Sequence, residues 1–156
     1  MHGMRELLVD SLARAVASHR FDLYAYVLMP EHVHIVVRPQ HIKSSIANLL
    51  QAIKRPMSFR AREMLEASGH PIAALLRVEI ASDRSHFQFW QRGPGFDSNL
   101  RSWDSVNDAV RYIHMNPVRR GLVDRPENYE WSSCRQWEFP DEAVGVNAIR
   151  VCRQKG

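Results

Sequence analysis

Cysteine is scarce in this chain. Only Cys134 and Cys152 occur among 156 residues; they could form at most one bridge, and neither has a second cysteine at metal-finger spacing. A disulfide scaffold and a thiolate zinc site therefore drop out, and both residues are read as free thiols. Glycine and proline supply 7 and 8 positions, too few and too irregular for a collagen or low-complexity chain. No apolar run approaches the ~20 residues of a bilayer-spanning helix. The amino terminus shows no basic segment leading into an apolar signal core. A cytoplasmic protein without membrane attachment is the expectation, and no internal repeat interrupts it.

What remains suits a globular protein. Apolar residues make up 45% and charged residues 24% of 18.1 kDa, which predicts one domain over residues 1–156 with a single core. Lys and Arg number 21 against 17 Asp and Glu, and the pI of 9.4 fits a polyanionic partner. The excess is local: Lys54, Arg55, Arg60 and Arg62 form one group, and Arg111, Arg119 and Arg120 a second. Solvated helix faces are the plain alternative for both.

Periodicity supplies the elements. Arg5 to His19 places Leu8, Leu12, Ala15 and Val16 at helical spacing. Phe21 to Met29 and His32 to Arg38 read as an antiparallel hairpin broken by Pro30-Glu31, with Val33, Ile35 and Val37 on the parity opposite the histidines. Ser44 or Ser45 can cap a helix carrying Ile46, Leu49, Leu50 and Ile53, which Pro56 should kink or end before a basic stretch running to about Ala67. After the loop Ser68 to Pro71, Leu75 to Ile80 and His86 to Trp90 look like strands. Asp104 or Ser105 can cap a third helix along Val106, Ala109, Val110 and Ile113, ended by Pro117. The sum is an α+β fold.

Two constellations could carry chemistry. His32 and His34 are i and i+2 on a strand, so both side chains face one way, ~7 Å apart along the chain, and can converge on an ion. Eight histidines in 156 positions yield about 0.4 such pairs by chance, and surface or hydrogen-bonded core histidines are the competing reading. On the third helix Tyr112 and Asn116 project within ~40° of each other on one flank of the apolar stripe, with His114 on the other flank. A tyrosine reaching for solvent and an asparagine ending a helix before proline would look the same.

Four blocks together are more specific. Tyr26-Val-Leu-Met-Pro-Glu-His-Val-His-Ile-Val-Val37, Phe89-Trp-Gln-Arg92, Arg111-Tyr-Ile-His-Met-Asn-Pro-Val-Arg-Arg-Gly-Leu-Val123 and Trp131-Ser-Ser133 resemble the signature blocks of REP-associated tyrosine transposases, bacterial relatives of single-tyrosine insertion-sequence transposases. They occur in family order over about residues 21–133, leaving 134–156 as a carboxy-terminal extension. The resemblance implies a ferredoxin-like antiparallel sheet with helices on one face and the tyrosine helix on the other. It implies a metal site at His32 and His34, completed by Asn116, and a nucleophile at Tyr112. It further implies Mg²⁺ or Mn²⁺ as cofactor, single-stranded or hairpin DNA as partner, and a 5′-phosphotyrosine intermediate in DNA recombination.

Lys54, Arg55, Arg60, Arg62, Arg92, Arg119 and Arg120 are then candidates for DNA phosphates, with Phe87, Phe89 or Trp90 as stacking platforms or as core. A monomer or homodimer would serve. The rival readings are a non-catalytic hairpin-DNA-binding derivative and a metal-dependent phosphodiesterase using water. One departure stands: family members usually open with a strand that is central in the sheet, whereas only Met1 to Gly3 precede the first helix here. Leu75 to Ile80, the Val144 to Val151 segment or a second chain could occupy that slot.

Overall fold

The structure, a computed structural model, describes residues 2–81, 84–91, 97–145 and 148–153. The chain divides into two compact units interleaved in sequence, one from residues 1–15 and 46–97, the other from 16–45 and 98–156.

In the first unit lie most of helix α1 (His2–Ser18) and all of α2 (Ile46–Ala67). Leu49, Ile53, Met57 and Ala61, each four residues from the last, are buried along α2. The sequence predicts a kink or an end at Pro56, and the helix does not end there but continues to Ala67. Proline removes one backbone donor and costs about 3 kcal/mol, but burying Leu49, Ile53 and Met57 on both sides of it returns about 1.5 kcal/mol or more for each. Gly69 ends the helix with φ at +61°. Its N–H bonds the Glu66 carbonyl at 3.2 Å and that of His70 bonds Leu65 at 3.0 Å, a closure that favours glycine.

A short helix α3 (Ile72–Leu75) takes the start of the expected strand. Strand β3 (Arg77–Ala81) then pairs antiparallel with β4 (Arg84–Phe87), Val78 opposite His86. The second strand begins and ends earlier than the expected His86 to Trp90, because Trp90 leaves the ladder to donate its indole N–H to the Lys54 carbonyl at 3.1 Å.

In the second unit β1 (Phe21–Leu28) and β2 (Val33–Pro39) form the expected hairpin, with Tyr26 opposite Ile35 and Val27 opposite His34. Tyr24 is the extra residue of an irregularity between Leu23 and Ala25; its carbonyl, out of the ladder, accepts from Trp137 Nε1 at 2.9 Å. Seven of the eight β1 residues are buried. On β2, Val33, Ile35 and Val37 are only half-buried, whereas Val36, on the parity of His34, is buried. The expected burial of the valine and isoleucine face is thus partial, as fits a strand paired along one side.

Two separate two-stranded sheets result, β1–β2 and β3–β4. The α+β class and antiparallel pairing agree with expectation, but among the described residues no continuous four-stranded sheet forms, and Leu75 to Ile80 does not join the hairpin. The outer side of β1 is occupied by backbone from the far end of the chain. Leu28 N–H bonds the Trp131 carbonyl at 2.8 Å, Ser133 N–H bonds Tyr26 at 3.0 Å, and Cys152 N–H bonds Leu23 at 2.7 Å. Helix α4 (Trp103–His114) packs against both strands of the hairpin. It continues into α5 (Asn116–Arg119) and, after a 3₁₀ turn at Pro126–Asn128, the chain forms α6 (Cys134–Glu138).

Candidate functional site

The tyrosine arrives on a well-capped helix. Ser102 rather than Asp104 or Ser105 is the N-cap of α4: its hydroxyl accepts the Ser105 N–H at 3.2 Å while Ser105 Oγ accepts the Ser102 N–H at 3.1 Å. Asp104 in the first turn complements the helix dipole. Val110, Ile113 and His114 form the buried stripe, and Tyr112 stands 58% exposed beside it. Pro117 ends α4 by starting α5. Gly121, at φ +65°, closes α5 with bonds from its own N–H to Val118 and from Leu122 N–H to Pro117, both 2.9 Å.

The histidines arrive on the hairpin turn. Met29 N–H bonds the His32 carbonyl at 2.9 Å, closing a tight turn over Pro30-Glu31, so His32 is its last residue and His34 the second of β2. Their Nε2 atoms lie 2.9 Å apart with the rings nearly perpendicular. Burial pushes the His34 pKa down, and the neighbouring His32 charge pushes it further. A neutral imidazole with its lone pair available is the form a ligand or a proton acceptor needs.

One ion pair joins turn and helix, and contacts on either side brace it. Glu31 Oε1 accepts from Arg120 Nη2 at 2.7 Å and lies 3.7 Å from His32 Nδ1, so the carboxylate ties the end of α5 to the turn that carries His32. Arg119 stacks its guanidinium 4.6 Å from the Tyr112 ring centre and donates from Nη1 to the Tyr112 carbonyl at 3.0 Å and to Asn116 Oδ1 at 3.3 Å. That cation over the ring face holds the ring and the guanidinium together. Behind the site, His114 Nε2 meets Ser133 Oγ at 2.9 Å, and the same oxygen accepts the Tyr26 N–H at 2.9 Å. Burial alone drives the His114 pKa down to about 4, so a neutral imidazole pins α4 to β1.

The second unit thus carries His32 and His34 on the hairpin turn and Tyr112 and Asn116 on the helix pair, the two linked by the Glu31–Arg120 ion pair. Glu31 and Ser133 lie within the four blocks but carry no sequence signal of these contacts, and His114 reads from the sequence only as a residue on the other flank of the helix. Arg119 and Arg120 are engaged with the site itself. Among the described residues no three His, Cys, Asp or Glu side chains are placed to share an ion. In the first unit Arg60 pairs with Glu63 at 2.9 Å and Arg62 with Glu66 at 3.0 Å, while Lys54 Nζ sits 5.8 Å over the Trp90 ring. Arg92 lies outside the described residues. No described helix is long and apolar enough to cross a membrane.

No protein-family model and no curated protein sequence matches the chain. One solved structure does: a REP-associated tyrosine transposase bound to a REP hairpin superposes with a TM-score of 0.54 at 18% identity, covering 96% of this chain and 79% of that one. The chain thus shares the α+β fold of that structure.

Proposed function

We propose that the chain is a metal-dependent DNA transesterase that cleaves single-stranded hairpin DNA through a 5′-phosphotyrosine link at Tyr112. The observation that carries this reading is the Glu31–Arg120 ion pair, which brings the turn bearing His32 to the helix bearing Asn116. The transposase-like fold adds support. The donor set suits a divalent ion. Two imidazole nitrogens 2.9 Å apart match adjacent ligands on one centre, since donors at ~2.1 Å and right angles are ~3.0 Å apart. The Asn116 amide oxygen supplies a harder donor, and Mg²⁺ or Mn²⁺ follows from the family resemblance rather than from ligand softness.

When bound, such an ion would polarise the scissile phosphodiester and offset charge in the transition state. The chain's own residues do the rest. Tyr112, exposed on its helix, places its oxygen toward incoming DNA; a bond from Oη to phosphorus forms as the bond to the 3′-oxygen breaks. The phenol proton passes to solvent and the departing 3′-oxygen takes one up. Arg119 steadies the ring and the Asn116 amide together. Because the phosphoester is conserved in the link to Tyr112, a 3′-hydroxyl can later displace the tyrosine and rejoin DNA without ATP.

The test is covalent trapping. A 3′-labelled hairpin with an unpaired foot, incubated with Mn²⁺ and run in SDS, should carry label on the protein. Tyr112→Phe should abolish both label and cleavage while hairpin affinity stays within about threefold. Label persisting in the Phe variant refutes the nucleophile. Cleavage without label identifies a phosphodiesterase, and binding without cleavage a non-catalytic hairpin binder.

A further inference from the structure

Arg119 is a cation whose charge the fold leaves unmatched. It stands exposed at the end of α5, and among the described residues no carboxylate pairs with it, whereas its neighbour Arg120 has Glu31 at 2.7 Å. Three residues after Asn116 and seven after Tyr112, it comes to the same side of the helix pair as both.

Its contacts go to the site. Nη1 is shared between the Tyr112 carbonyl at 3.0 Å and Asn116 Oδ1 at 3.3 Å, and the guanidinium lies 4.6 Å from the centre of the Tyr112 ring. The amide oxygen that would serve a divalent ion as its hard donor thus already accepts from a cation. An ion ~2.1 Å from that oxygen would lie within about 5.5 Å of the guanidinium nitrogen. The amide has a second lone pair to offer, but sharing the oxygen leaves two positive charges to repel each other.

We propose that Arg119 and the divalent ion compete for Asn116 Oδ1, so that Arg119 holds the amide and the Tyr112 ring until the ion takes the oxygen over. The proposal rests on the metal reading above. Its opposite is a guanidinium that orients the amide for the ion, the usual service of a group bonded to a metal ligand, and the two differ in sign. Competition also ties the ring to the ion: loosening Arg119 on Tyr112 makes the amide oxygen easier to take, and by linkage a loaded ion weakens the stack on the ring.

Calorimetric titration with Mn²⁺ decides by that sign. Arg119→Met keeps an unbranched side chain but loses the charge and the donors; it should bind Mn²⁺ about three- to tenfold more tightly, the scale of a unit charge repelling a divalent ion across ~5 Å of salt water. Misfolding cannot mimic a gain in affinity. With Asn116→Ala already in place, the same replacement should change affinity by less than about twofold. Weaker binding in Arg119→Met overturns the competition and makes Arg119 an orienting donor; an unchanged affinity, or an equal gain in the Asn116→Ala protein, overturns it as well. Tyr112→Leu, which removes the ring under the guanidinium, should tighten Mn²⁺ binding about two- to fivefold, the range of an exposed cation–π contact, and should add nothing to Arg119→Met. An additive gain severs ring from ion. Failure of the underlying reading looks different: an Mn²⁺ site that survives the His32→Ala, His34→Ala double replacement, or no site at all, refutes the metal centre and the competition with it, whereas a histidine-dependent site that Arg119→Met leaves unchanged or weakens refutes the competition alone.

Discussion

Lowering the pH should loosen the second unit through His114. Its side chain is 5% exposed and its Nε2 meets Ser133 Oγ. In the unfolded chain this imidazole takes up a proton as pH falls through 6.5, but in the folded chain it stays neutral until about 4. Between those values the unfolded state binds the extra proton, so stability is full above 6.5 and declines as pH falls toward 4. The gap between 6.5 and about 4, at ~1.4 kcal/mol per pH unit, sets a ceiling of about 3 kcal/mol, most of it lost by pH 4.5. Replacing Trp90 by Phe leaves Trp103, Trp131 and Trp137, all of the second unit, as fluorescent reporters. Urea unfolding of that protein should lose about 2 to 3 kcal/mol more between pH 7 and 4.5 than its His114→Gln derivative, which can still bond Ser133 but does not titrate. Parallel losses in the two proteins would refute the assignment.

Two further outcomes follow from the site. Glu31→Gln should change folding stability by less than about 1 kcal/mol, since its pair with Arg120 is solvent-exposed, yet reduce Tyr112 labelling by about tenfold or more through misplacement of turn and helix; wild-type labelling rates would show the pair to be incidental. Calorimetric titration with Mn²⁺ should give no detectable site in the His32→Ala, His34→Ala double variant and about 10- to 100-fold weaker binding in Asn116→Ala. Unchanged affinity in the double variant would remove the metal from the mechanism.

Much of this architecture can be read along the chain. The hairpin announces itself because two runs of branched and aromatic residues flank Pro30-Glu31, and α4 because Val106, Val110 and Ile113 keep helical spacing. Both signals are local. His114 looks like a polar residue on a helix flank, and only Ser133, nineteen residues on, makes it a buried pin. Glu31 reads as ordinary surface charge and Arg120 as a candidate for DNA phosphates until folding makes them partners. The segment along β1 has no period to detect, because its contribution comes from backbone N–H groups of Ser133 and Cys152 rather than from alternating side chains. Pro56 fails to end the helix for a different reason: its local penalty is outweighed by burial on both sides.

The coverage of β1 by residues from the far end of the chain sets a timetable for synthesis. The serine that accepts the Tyr26 N–H comes 107 residues later, and ribosomes add about 5 to 20 residues each second. For about 5 to 20 s, a hairpin whose first strand is almost wholly apolar emerges with its outer edge bare, a template for pairing with another nascent chain. Long-range closure of this kind is also intrinsically slow. The strand that pairs with the histidine-bearing β2 is thus open to misassembly until Trp131, Ser133 and Cys152 have been made.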